Sequence, residues 1–181
     1  MYYKKYISDR IYFSPIVEED YQLYTKWLND EDISKGINQV HNIITENFEK
    51  NWIEHAYDKG RYQFEIILSE NDKAIGICGL ELTNNISKRY HIVCFIGEKE
   101  YWNKGYGTEA IKLLVKFAFE ILNAHSIYST IYSFNIASLK AVKKVGFKEV
   151  GRFSESVYYN MTYHDEIMIE ILKKDYKEKE D

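Results

Sequence analysis

The sequence predicts an α+β fold, a mixed, mainly antiparallel twisted sheet of about seven strands flanked by about four helices. Three observations carry this expectation. From Tyr62 to Ile96 the chain is a run of short strands separated by tight turns, which reads as an antiparallel meander. Two helical patterns precede that run, and two more follow it in alternation with strands. That order fits helices laid on a mixed sheet rather than a doubly wound sheet or a bundle. Finally, 181 residues with 45% apolar and 29% charged side chains suffice for one globular unit with its own core. The unit is read as residues 1–172, with 173–181 a charged tail expected to fray.

Each element has a local reason. Arg10–Ser14 reads as a first strand closed by Pro15. Glu18–Asn29 reads as a helix that keeps Tyr21, Tyr24, Trp27 and Leu28 on one face. Thr45–Tyr57 repeats the pattern with Phe48, Trp52, Ile53 and Ala56, and Thr45 is placed to cap it. The meander then runs through Tyr62–Leu68, Ala74–Leu82 and Arg89–Ile96, turning at Glu70–Lys73 and Thr83–Asn85. A long helix from Tyr106 to Leu122 presents Ala110, Leu113, Leu114, Phe117, Ala118 and Ile121. Ile127–Tyr132 is a strand, and Ala137–Val145 is a shorter helix stopped by Gly146. Strands near Arg152–Tyr158 and at Glu166–Leu172 end the fold.

Composition excludes several function classes. The formal charge is −4, which argues against a nucleic-acid partner and leaves amine substrates open. No stretch approaches the ~18 apolar residues of a membrane span, and Met1–Lys5 lacks a signal-peptide core. A cytoplasmic protein with no membrane partner is expected. Cys78 and Cys94 lack paired metal or redox spacing and read as buried, reduced thiols. His41, His55, His125 and His164 show no ligand spacing, so no metal is expected. The 17 Tyr and 9 Phe are scattered along the chain, so they read first as packing, and Tyr24, Trp27 and Trp52 read as core. Asp165 reads as a loop-ordering residue.

The segment Tyr101-Trp102-Asn103-Lys104-Gly105-Tyr106-Gly107-Thr108-Glu109-Ala110 lies between a strand and the longest amphipathic helix. Two glycines one residue apart let the backbone bend closely. They also leave the amides of the loop and first helical turn pointing outward at the positive end of the helix dipole, an anion site suited to a pyrophosphate. A tight turn is the plainer alternative. A P-loop would need Gly-Lys-Ser/Thr, which is absent. Ala110 satisfies the third position of a dinucleotide fingerprint, but the next strand ends in Ser133-Phe134-Asn135 with no carboxylate for a ribose.

That segment, together with Phe117-Ala118-Phe119, Asn135-Ile136-Ala137-Ser138, Gly146-Phe147 followed by Gly151, and Tyr163-His164-Asp165, resembles the GNAT acyl-CoA-dependent N-acyltransferases. The resemblance covers nearly the whole chain. It looks closest to the branch of RimJ/RimL-like protein N-terminal and spermidine/diamine acetyltransferases. Trp102 departs from the Gln or Arg that opens the signature in the wider family.

The resemblance implies a GNAT fold with acetyl-CoA as cosubstrate. Asn103, Lys104, Gly105, Tyr106, Gly107 and Thr108 would hold its pyrophosphate through their amides. Phe95, Ile96 and Gly97 would pair with the pantetheine arm, and a strand amide would polarise the thioester carbonyl. Asn135 resembles the Asn that contacts the pantetheine region, and it is equally suited to cap the next helix. His91, fourteen residues before Gly105, matches the position where relatives carry a general-base Glu. An imidazole is competent there, although a strand His in a polar pocket is an even alternative. Glu81 is a second base candidate that reads better as solvent-facing. Val142 occupies the position where many relatives have an acid Tyr, so Ser138 becomes the candidate proton donor for the thiolate; it also suits a helix cap.

The activity expected from the resemblance is acetyl transfer to a primary amine of a small molecule, of the polyamine or amino-sugar type, by direct attack in a ternary complex. A protein N-terminus as acceptor, as in the ribosomal-protein acetyltransferases, is the first alternative. A non-catalytic acyl-CoA-binding module is the second. A homodimer is a further expectation by analogy.

Overall fold

The computed structural model describes residues 1–37 and 39–176. Residues 177–181, most of the expected charged tail, lie outside them. One eight-stranded sheet organises the molecule: β1 (Lys5–Ile7), β2 (Ile11–Pro15), β3 (Arg61–Leu68), β4 (Ala74–Asn84), β5 (Arg89–Ile96), β6 (Ser126–Tyr132), β7 (Lys148–Tyr159) and β8 (Thr162–Leu172). Their spatial order is β1-β2-β3-β4-β5-β6-β8-β7. Every neighbouring pair is antiparallel except β5 and β6.

Among the described residues five α-helices accompany it: α1 (Tyr21–Leu28), α2 (Glu31–Ser34), α3 (Glu46–Glu54), α4 (Tyr106–Lys116) and α5 (Ile136–Val145). The helices α4 and α5 cover one face of the sheet with Ala110, Leu114, Val115 and Val142, packed on Ile66, Leu80, Ile92 and Ile169. The opposite face buries Tyr12, Ile67 and Ile77 under Tyr24, Trp27 and Ile33 of α1 and α2 and Ala56 just beyond α3. Alternation along β2 decides which side goes where, with Ile11 and Phe13 to the first layer and Tyr12 to the second.

The extra strand and helix are both too short to show a period. β1 has three residues, two of them outward-facing, and α2 has four, capped by the Asp30 side chain on the Asp32 amide. Thr45 caps α3, its Oγ1 accepting from the Phe48 N–H at 3.2 Å. The buried face of α3 is turned by one position from expectation, because Phe48 is 54% exposed while Glu49 is buried.

The long helix ends earlier than its periodicity suggests. After Lys116 it widens into a π turn over Phe117–Ile121, where Leu122 N–H donates to the Phe117 carbonyl. One extra residue per turn rotates the apolar stripe, so Phe119 is buried and Ile121 is exposed. Gly146 closes α5 in the left-handed region at φ +111°. The last two strands are longer than their alternation shows. A break in register between Phe153 and Val157 scrambles β7, and Asp165 lies inside β8, accepting from the Glu155 N–H and from Arg152.

Candidate active site

Strands β5 and β6 stay together for three residues only, Arg89, Tyr90 and His91 against Ser126, Ile127 and Tyr128. Beyond that each strand follows its other neighbour. β5 remains paired to β4 as far as Ile96, and β6 to β8 as far as Tyr132. The sheet therefore opens, and a cleft of about 230 Å³ occupies the gap. Ile111, Ser138 and Val142 line it from the α4/α5 layer, and Gly36 and Ile37 from the segment after α2 on the opposite face.

The open edge of β5 offers backbone partners. Gly97 N–H donates to the Ile75 carbonyl at 2.8 Å, so strict alternation turns the amides of Ile96, Cys94 and Ile92 away from β4 and toward the gap. The Ile96 carbonyl there accepts from the Trp102 indole at 2.7 Å, which ties β5 to the following loop.

That loop reaches α4 through Asn103 at φ +58° and Gly105 at φ +88°. Side chains cap α2, α3 and α5, whereas α1 and α4, the longest helix, have no side-chain cap. The first amide at this end with a backbone acceptor is that of Glu109, which donates to the Gly105 carbonyl. Amides from Asn103 to Thr108 thus form a donor row at the positive helix end. The row is held rigid from behind. Glu109 accepts from Ser8 Oγ at 2.7 Å and from the Arg10 amide at 2.8 Å, and pairs with the Arg10 guanidinium, which also donates to the Lys104 carbonyl.

Gly105 needs its positive φ. Gly107 does not have one, and a Cβ there would meet only Ile96 Cγ1 at 3.7 Å. Neither conformation nor packing demands a glycine at 107, so the open space it leaves suits the close approach of a ligand to the amides.

His91 stands where the strands part. Its Nε2 lies 3.4 Å from Ser129 Oγ, and its ring meets Tyr128 edge-on. Burial pushes its pKa below the ordinary histidine value, and Glu81 opposes this weakly, so the imidazole is neutral near pH 7 with a lone pair to offer. Glu81 itself is exposed and pairs with Arg61 at 3.3 Å. Asn135 Oδ1 accepts from the Ser138 amide at 3.2 Å, capping α5. Cys94 lines the cleft directly across the ladder from buried Cys78. Burial raises both thiols, Cys94 to about 12, so both are unreactive free cysteines.

The family model of the acetyltransferase (GNAT) domain matches residues 10–148. The chain belongs to the GNAT acetyltransferases. Relatives of this GNAT protein include the uncharacterized N-acetyltransferase YnaD of Bacillus subtilis, 24% identical over 87% of this chain and 91% of the relative. Another is the uncharacterized N-acetyltransferase p20 of Bacillus licheniformis, 28% identical over 63% of this chain and 64% of the relative. Among solved structures, the spermidine N-acetyltransferase of Vibrio cholerae, in complex with CoA and spermine, superposes with a TM-score of 0.82 at 21% identity. That likeness covers 91% of this chain and 96% of the other.

Of the residues expected from sequence, the structure brings His91, Asn135 and Ser138 to one cleft. Phe95 and Gly97 are placed otherwise, against the Trp27 ring on the α1 side, and of the Phe95–Gly97 trio only Ile96 faces its amide to the gap. Sequence reasoning missed Ile92 and Cys94 as open-edge amides and Ser129, Tyr132 and Glu166 as cleft walls. The strand alternation past His91 was the signal for the first two. Among the described residues no cluster of three or more His, Cys, Asp or Glu is arranged to hold a metal ion, and no helix is long and apolar enough to cross a membrane.

Proposed function

We propose that this GNAT acetyltransferase moves the acetyl group of acetyl-CoA to a primary amine of a small molecule, of the polyamine or amino-sugar type, by direct attack in a ternary complex. The observation that carries this reading is the cleft lined from both faces of the sheet beside an uncapped row of six amides. The α4/α5 side of the cleft, next to the amide row, would take the cofactor arm and the side of Gly36 and Ile37 the acceptor, so both substrates would meet without a covalent enzyme intermediate.

The amides of Asn103 to Thr108 would hold the pyrophosphate. Those of Ile92, Cys94 and Ile96 would pair with the pantetheine arm, one of them donating to the thioester oxygen as negative charge develops there. Acetyl-CoA supplies the activated acyl carbon. His91 takes a proton from the acceptor ammonium, directly or through one water, and so frees the attacking nitrogen lone pair. Ser138, half-buried on α5 in the cleft wall, would relay to the departing sulfur the second proton that the attacking nitrogen sheds as the tetrahedral intermediate collapses, its hydroxyl ending as it began. The Vibrio cholerae spermidine N-acetyltransferase in complex with CoA and spermine supports an amine acceptor of this size.

The test is acetyl-CoA-dependent thiol release across polyamines, amino sugars and peptides with free N-termini. Turnover with a small amine is expected. Turnover confined to the peptides, or none with acetyl-CoA bound, overturns the reading.

A further inference from the structure

Among the described residues, Glu166 is the one charged side chain in the wall of the cleft. It sits on β8 directly across from Tyr132 of β6 and Phe153 of β7, on the sheet face that also carries His91 and Tyr128. The residue is half-buried, and its carboxylate makes no side-chain hydrogen bond or ion pair with the described residues. Arg152 of the adjoining strand and Lys35, next to Gly36 of the cleft wall, are committed elsewhere. Arg152 aligns with Ile167, hence on the other face, where it pairs with Glu149 and Asp165. Lys35 is held by Asp32 at 2.6 Å, and Lys99 by Asp30 and Asp32.

Other half-buried acids, Glu98, Glu109 and Asp165, each have a cation within 4.0 Å. A carboxylate withdrawn from part of its hydration, without a partner, is relieved by an incoming ammonium. The Tyr132 phenol beside it responds to the same charge, which adds to burial in raising its pKa.

We infer that Glu166 is a specificity-determining residue that anchors a second ammonium of the acceptor while its first amine reaches His91. The inference rests on the acetyl-transfer reading of the cleft and narrows the acceptor to a compound with two cationic nitrogens. An acceptor whose far end is neutral or anionic leaves the Glu166 charge unmatched or repelled.

The experiment compares 1,4-diaminobutane with butylamine, which share a four-carbon chain and differ by the second ammonium, on wild type and Glu166→Gln. Calorimetric binding to the CoA-loaded protein is measured beside turnover. Wild type is expected to bind the diamine about tenfold or more tightly than butylamine, the scale of a charged contact. The near-isosteric Gln brings the two affinities to within about twofold. The affinity for CoA itself reports that the variant is folded. Equal binding of the two amines by wild type, or a preference that survives Glu166→Gln, overturns the assignment. Turnover judges the acetyl-transfer reading separately, because an inert protein that still shows the Glu166-dependent preference would fail that reading and keep this one.

Discussion

Replacing His91 by Gln preserves a polar strand residue in the cleft wall and removes a titratable nitrogen. Because burial holds the imidazole below its ordinary value, a base role places the acidic limb of the wild-type rate profile below pH 6.5, with kcat falling as His91 gains its proton. His91→Gln is expected to lower kcat about a hundredfold and to abolish that limb, leaving the KM for acetyl-CoA within about twofold. Steady-state kinetics between pH 5 and 9 check this, and an unchanged limb in the variant rules out the role. His91, Ser138 and Asn135 came from the family resemblance, position by position, and the structure gathers the three in one cleft. Glu166 was not legible in the sequence, since the residues after it, Ile167, Ile169 and Ile171, alternate inward and make it read as an ordinary outward strand residue. Its place beside the cleft comes from the pairing of β6 with β8, a contact remote in sequence.

At the scale of the element, α4 combines a weakness with a support. Its first turn carries no side-chain cap, a cost of about 1 kcal/mol that α2, α3 and α5 avoid. The Glu109 carboxylate, half-buried and held below its ordinary pKa by Ser8 and Arg10, anchors that turn to the start of β2 instead. Anion binding would offset the missing cap. CoA at about a hundred times its Kd adds about 2.7 kcal/mol, roughly 5–10 °C in Tm for a chain of this size. Gly107→Glu puts a carboxylate where the sterics allow a side chain but against the amide row. The variant is expected to melt as a folded protein and to show no CoA-induced shift. A shift of wild-type size would displace the cofactor from this loop. The glycine loop and the helix behind it were legible from composition and period. The π turn was not, because a widened turn keeps the same apolar residues and changes only which of them point inward.

Across the whole molecule, the period-two meander made the antiparallel half of the sheet readable, and the helix order made its two layers readable. The opening between β5 and β6 was not, because it arises from two strands each keeping the partner on its far side. The layer of α1 and α3 also covers an acid that sequence position does not reveal. Glu65 of β3 is fully buried, and its Oε2 lacks a hydrogen-bond partner. Burial first, and then the neighbouring Asp20, raises its pKa to about 9; burial raises Glu49 to about 7. An acid kept neutral in the fold and ionised in the unfolded chain binds its proton more tightly when folded. Its stabilisation is therefore complete below the unfolded value near 4.5 and drains away as pH rises toward the folded one. Wild type is expected to lose stability steadily from pH 5 to pH 9, the Glu49 share by about 7 and the Glu65 share by about 9. Glu65→Gln keeps the shape and removes the ionisation. It should be more stable than wild type at pH 8.5, by on the order of 1–3 kcal/mol, and nearly equal to it at pH 5. Urea unfolding at the two pH values measures both differences. A variant that is destabilised equally at both would mean that Glu65 is ionised in the fold and held there by partners, against the neutral acid inferred from its burial.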